Sequence, residues 1–167
     1  MKQIWAPWRM AYIQRESKEG CVLCEKPASD DDAANYILYR GERAYIMLNL
    51  YPYNNGHLMV VPYEHVASLE GLGVETLTEL MLLIKRSLAA LREAMAPDGF
   101  NIGVNVGQAA GAGIQEHVHI HIVPRWEGDT NFMPVLGETR VIPQMLRETY
   151  DQLLEVFQEG MEDFSNG

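Results

Sequence analysis

The chain predicts an α+β fold with an antiparallel sheet. Strand-like segments flank one long amphipathic stretch in the order β-β-α-β-β, a turn-rich segment joins the first two, and a second amphipathic stretch lies near the C-terminus. Ala44 to Leu50 is β-prone, and Tyr51 to Gly56 (YPYNNG) carries turn chemistry, strongest at Asn55-Gly56. His57 to Val61 forms the second strand, ended by Pro62, so the two read as a hairpin. Val74 to Met95 is the clearest helix: Leu77, Leu80, Met81, Ile84, Leu88, Leu91 and Met95 recur at helical steps, and Pro97 and Gly99 stop it. Phe100 to Val106 alternates as a strand, Gly107 to Gly113 is a loop of small residues, and Glu116 to Val123 is a strong strand closed by Pro124. An irregular segment from Arg125 to Pro143 leads to a helix from Gln144 to Gln158, with Met145, Tyr150, Leu153, Leu154 and Phe157 on or near its buried side. Pro27 to Asn35 (PASDDDAAN) reads as a solvated loop. Met1 to Glu19, with Trp5, Trp8, Arg9, Tyr12 and Arg15, reads as an arm packed on the domain or on a partner subunit.

The 167 residues, 47% of them hydrophobic, suffice for a single domain with its own core, spanning 1–167 with an arm over 1–19 and an extension over 125–167. A net charge of −10 disfavours a nucleic acid polymer, whose binding relies on basic residues neutralising phosphates. A small anionic substrate stays open, because a local pocket can be electropositive on an acidic protein. No secretory signal is evident, and no apolar run reaches the roughly 18 residues of a membrane helix. The expectation is a soluble, cytoplasmic protein that neither spans nor binds a membrane. Cys21 and Cys24, spaced C-x-x-C, suggest metal or redox chemistry in a reducing compartment.

The sharpest pattern is His117-Val118-His119-Ile120-His121-Ile122-Val123-Pro124. In a strand, alternation puts three imidazoles on one face, roughly 6–7 Å apart, and Val118, Ile120 and Ile122 on the other. Such a row could bind a metal, as H-x-H motifs do, but the acidic ligand of H-x-H-x-D-H dinuclear sites is missing. It could instead hold phosphate, since Gly111 and Gly113 just upstream let backbone amides approach an anion.

The H-φ-H-φ-H-φ-φ pattern, where φ is apolar, resembles the signature of the histidine triad (HIT) nucleotide hydrolases and transferases. The similarity continues through Leu48 to Pro52, Asn55 to Pro62, the long helix and Asn105. It implies a HIT-like five-stranded antiparallel sheet, a homodimer joining two sheets into a continuous ten-stranded one, and one active site per subunit. It also implies that His119 attacks an α-phosphorus to give a nucleotidyl-histidine, with His117 completing the triad. His121 and His57 would contact the phosphates and offset charge. Asn49 stands at a ribose-contacting position, and Asn105 with the loop to Gly113 resembles a phosphate cradle. Relatives often carry Ser or Thr near Gly113 and Ile114; here Gln115 is the nearest polar substitute, which departs from the pattern. Met47 and Leu50 could line an adenine pocket or belong to the core. Cys21, Cys24, His65 and His117 match the Cys2His2 site of some HIT proteins and related uridylyltransferases, implying structural zinc, with no organic cofactor.

Pro124 to Phe132 (PRWEGDTNF) and the N-terminal I-W-A-P-W-R-M are similar to a branch that includes bacterial diadenosine tetraphosphate phosphorylases. There Trp126 could stack on adenine or pack at the pocket rim, and Arg125 could meet phosphate, the partner subunit or plain surface. The implied activity is cleavage of a phosphoanhydride bond in dinucleoside polyphosphates, with water or phosphate as acceptor. A nucleoside phosphoramidase, an adenylyl-sulfate type hydrolase, and a nucleotide-binding protein with vestigial activity are the alternatives.

Overall fold

A computed structural model of the chain describes residues 20–129, 142 and 144–160. The N-terminal arm, Thr130 to Phe132 and most of the segment before the last helix lie outside the described residues. The elements are α1 (Val22–Ala28), α2 (Asp32–Asn35), β1 (Ile37–Arg40), β2 (Ala44–Leu48), β3 (Leu58–Pro62), α3 (Val74–Met95), β4 (Gly99–Val104), β5 (Ile120–Arg125) and α4 (Leu146–Glu159). They build a five-stranded antiparallel sheet in the order β1-β2-β3-β5-β4. No helix among the described residues is long and apolar enough to cross a membrane.

Alternation in the central strands feeds two cores. Ala44, Ile46, Leu48, Leu58, Val60, Ile120 and Ile122 face α3 and α4, meeting Leu80, Leu83, Ile84 and Leu91 of the first and Tyr150, Leu153 and Phe157 of the second. On the opposite face Ile37, Tyr45, Met47, Met59 and Val61 pack with Leu23 of α1. Both faces of β2 and β3 are therefore buried. Each fully buried Leu or Ile contributes about 2 kcal/mol through lost apolar hydration.

Several expectations are corrected. The segment read as a solvated loop holds the end of α1 and all of α2, because Asp31 caps α2 by accepting the Ala34 amide at 2.9 Å. Arg40 secures the same stretch, donating to Pro27 O, Ser29 O and the Asp32 carboxylate. β1 is a strand the residue pattern alone did not reveal, since Ile37-Leu38-Tyr39-Arg40 is too short to show an alternation. The hairpin forms as expected, with Leu48 opposite Leu58 and Tyr51 to Gly56 inside the closing loop over 49–57. Met81 is 64% exposed: the buried stripe of α3 runs instead through Thr76, Leu80, Leu83, Ile84, Ser87, Ala90 and Leu91. Met145 is also exposed, as the residue preceding α4.

The most consequential correction concerns the histidine strand, which begins at Ile120 rather than Glu116 and runs through Pro124 to Arg125. Pro124 is tolerated there because β3 pairing ends at Leu58 opposite Ile122. On that side the Pro124 carbonyl accepts the Asn54 side-chain amide instead.

Candidate active site and metal centre

The row across the sheet sets the geometry: Ile37 pairs with Met47, Met47 with Met59, Met59 with His121, and His121 with Gly103. His121 thus shares its face with the second core. Among the described residues, the positions where Cβ atoms would stand on Gly103, Gly107, Gly111 and Gly113 have no atom within 4 Å beyond the adjoining chain. Of these, Gly103 pairs with His121, so the strand beside that histidine carries no side chain at that position. Gly107 and Gly111 have φ of 81°, a left-handed backbone that glycine adopts without strain.

Val118, Ile120 and Ile122 enter the core together, as alternation requires. The three imidazoles do not form one evenly spaced row. The His119 and His121 rings lie 4.8 Å apart edge to face, while His117, ahead of the strand, turns to a different cluster. Its Nδ1 stands 3.4 Å from Sγ of Cys21, 3.4 Å from Sγ of Cys24 and 3.3 Å from Nδ1 of His65. Cys24 Sγ is 3.4 Å from His65 Nδ1, and the four ligand atoms all lie within 4.8 Å of one another. These four side chains could hold a metal ion. The C-x-x-C pair reaches the site because Cys21 precedes α1 and Cys24 sits in its first turn.

Backbone groups assign a proton to one nitrogen of each ring. His117 Nε2–H donates to the Pro62 carbonyl at 2.8 Å, leaving its Nδ1 lone pair toward the thiols. His119 Nδ1–H donates to the His117 carbonyl at 2.8 Å, leaving Nε2 with a lone pair. His57 is fully buried, and its Nδ1 accepts the Tyr53 amide at 3.0 Å, so its proton is on Nε2. That Nε2–H donates to His121 Nδ1 at 3.0 Å, which puts the His121 proton on Nε2. Burial pushes all three triad pKa values down; for His121, burial and then the nearby His119 lower it to about 4. The site is a set of neutral imidazoles with defined donors and acceptors.

The other predicted residues divide. Asn49 accepts the Tyr51 amide at 2.9 Å and its Nδ2 lies 3.5 Å from both His57 ring nitrogens. Leu50 and Asn105 are half-buried at the ends of β2 and β4; Gly113 and Gln115 lie exposed in the loop leading to His117. Met47 takes the core alternative, at 1% exposure. Trp126 donates its indole N–H to the Met95 carbonyl at the end of α3. Arg125 grips Asp129 with two 2.7 Å bonds and reaches Asn101 on β4. Residue patterns could not have revealed the Tyr53 amide or the Pro62 and His117 carbonyls, because backbone groups are the same in every residue.

Residues 31–128 match the HIT domain. The chain is 39% identical to AP-4-A phosphorylase of Mycobacterium tuberculosis over 157 residues, covering 89% of this chain and 80% of that protein. It is 26% identical to the asymmetrical bis(5'-nucleosyl)-tetraphosphatase of Schizosaccharomyces pombe, covering 77% of this chain and 67% of that one. Among solved structures, a zinc-bound histidine triad family protein from Mycobacterium smegmatis superposes with a TM-score of 0.69 at 29% identity, covering 88% of this chain and 98% of the other. With its buried imidazoles, its sheet order and these relatives, the chain belongs to the HIT family.

Proposed function

We propose that this protein is an enzyme that cleaves a phosphoanhydride bond of dinucleoside polyphosphates of the diadenosine tetraphosphate type, with His119 as nucleophile. The observation that carries the reading is the 2.8 Å bond from His119 Nδ1–H to the His117 carbonyl, which leaves Nε2 as a neutral nucleophile. Likeness to AP-4-A phosphorylase over most of both chains supports the substrate class. Nε2 attacks the α-phosphorus, the bond to the bridging oxygen breaks, and ATP leaves with that electron pair. His121 Nε2–H faces this chemistry as a donor, and the His57 bond behind it holds that tautomer. An acceptor then attacks phosphorus, and the P–N pair returns to Nε2.

Cys21, Cys24, His65 and His117 would hold zinc. A tetrahedral ion with Zn–S of about 2.3 Å and Zn–N of about 2.0–2.1 Å separates its ligand atoms by about 3.3–3.8 Å. The contacts of 3.3–3.4 Å fit that spacing. When bound, the ion supplies a structural cross-link. His117 is at once a ligand and, through its carbonyl, the support of the nucleophile. A homodimer is supported by β4, an edge strand whose Asn101, Ile102 and Gly103 are all exposed, Ile102 at 47%.

The test is product analysis with diadenosine tetraphosphate, with and without inorganic phosphate. ATP plus ADP formed only with phosphate identifies phosphorolysis; ATP plus AMP without it identifies hydrolysis. His119→Asn is expected to lower turnover by at least about a thousandfold while nucleotide binding persists. Undiminished turnover in that variant, or no turnover by the native protein, overturns the reading.

A further inference from the structure

The P-R-W-E-G-D stretch is not absorbed by the chemistry above, yet its last residue is heavily engaged. The Asp129 side chain is 10% exposed. It accepts Arg125 Nε and Nη2 at 2.7 Å each, the Trp126 amide at 3.1 Å and the Asn54 side-chain amide at 2.8 Å. Asn54 belongs to the 49–57 loop. Its Nδ2 also donates to the Pro124 carbonyl at 3.1 Å, its Oδ1 accepts the Asn55 amide at 3.0 Å, and its carbonyl accepts the His57 amide at 3.3 Å. One side chain therefore joins the loop to β5 and to the Arg125–Asp129 pair.

We propose that Asn54 and Asp129 are positioning residues that hold the loop so that the Tyr53 amide points at His57 Nδ1, which rests on the catalytic reading above. Asn54 immediately follows Tyr53, so pinning it limits rotation of the peptide that carries the donor. A fixed donor on Nδ1 keeps the His57 proton on Nε2, and hence keeps the His121 proton on its own Nε2. A carboxylate that accepts these four bonds from described residues is a rigid anchor, because charge-assisted bonds are about twice as strong as neutral ones.

The experiment uses the full chain labelled with 15N-histidine, with long-range 1H–15N NMR reading the protonated nitrogen of each ring without substrate. In the native protein His57 shows an unprotonated Nδ1. In Asn54→Ala and in Asp129→Asn that pattern averages between nitrogens or switches, and kcat falls by about tenfold or more while KM changes by less than about threefold. Asp129→Asn serves if Asn54→Ala does not fold. Tyr150→Phe loses a buried bond to the Ile37 carbonyl in the helix-side core. It lowers stability and leaves the ring pattern intact. Three results overturn the proposal: a native His57 pattern in both loop variants, a kcat within about twofold of native once the pattern is lost, or an equal change in Tyr150→Phe. The NMR readout holds whether or not diadenosine tetraphosphate is the substrate, so failure of one reading is told apart from failure of the other.

Discussion

The imidazoles are governed by what touches each nitrogen. His121 accepts from His57 at Nδ1, is 9% exposed, and is pushed to about 4 by burial and by the neighbouring His119. A histidine with a lowered folded-state pKa binds fewer protons folded than unfolded, so stability rises with pH between the two pKa values. His121 contributes fully above its unfolded value of about 6.5, and that contribution is lost as pH falls toward 4. Urea unfolding of native protein and His121→Gln at several pH values measures this. Between pH 7 and pH 4 the native protein should lose about 3 kcal/mol more than the variant. Parallel curves would refute the assignment.

Among the elements, α1 has little apolar support: of its residues only Leu23 is buried. Leu23 packs in the second core, and its carbonyl accepts the Tyr45 hydroxyl at 2.7 Å. The Cys2His2 cluster ties this short helix to the segment after β3 and to the approach to β5. Protein purified without chelator is expected to carry about one equivalent of zinc per chain, and Cys24→Ser to lose most of it. Stripping the metal should lower Tm by several degrees, and hydrogen exchange should rise first in α1. Stripped protein with unchanged Tm and exchange would remove the structural role. α4 is anchored differently, by Tyr150, Leu153 and Phe157 in the main core, by the Tyr150 hydroxyl on the Ile37 carbonyl, and by Arg86 donating to the Phe157 carbonyl.

For the molecule as a whole, the sheet order leaves β1 and β4 at the edges. The β4 edge offers its backbone to a second strand and exposes Ile102, while the other described strands keep their large apolar residues covered. Arg125, bonded to both Asn101 and Asp129, connects this edge to the anchor of the 49–57 loop. Sedimentation should give a dimer for the native protein and shift toward monomer for Ile102→Lys, since a charge buried across the joined strands is left without compensation. A monomeric native protein, or an unaffected variant, would exclude dimerisation through this edge.

The fold class, the long helix from Val74 to Met95, the hairpin strands and the core-directed Val118, Ile120 and Ile122 were legible in the residues, because periodicity reports which side of an element meets water. The family was legible because the triad pattern is a local arrangement of side chains. β1, α2 and the late start of the histidine strand were not, because short segments carry too little periodicity and their form is set by packing and capping partners distant in the chain. The grouping of His117 with Cys21, Cys24 and His65 followed from the resemblance, while tertiary structure alone decided the contacts: His117 Nδ1 among the thiols and His121 Nδ1 on His57 Nε2. The same structure decided which ring nitrogens bear protons: that choice belongs to backbone carbonyls and amides, which have no side-chain identity and acquire a direction only when the chain is folded.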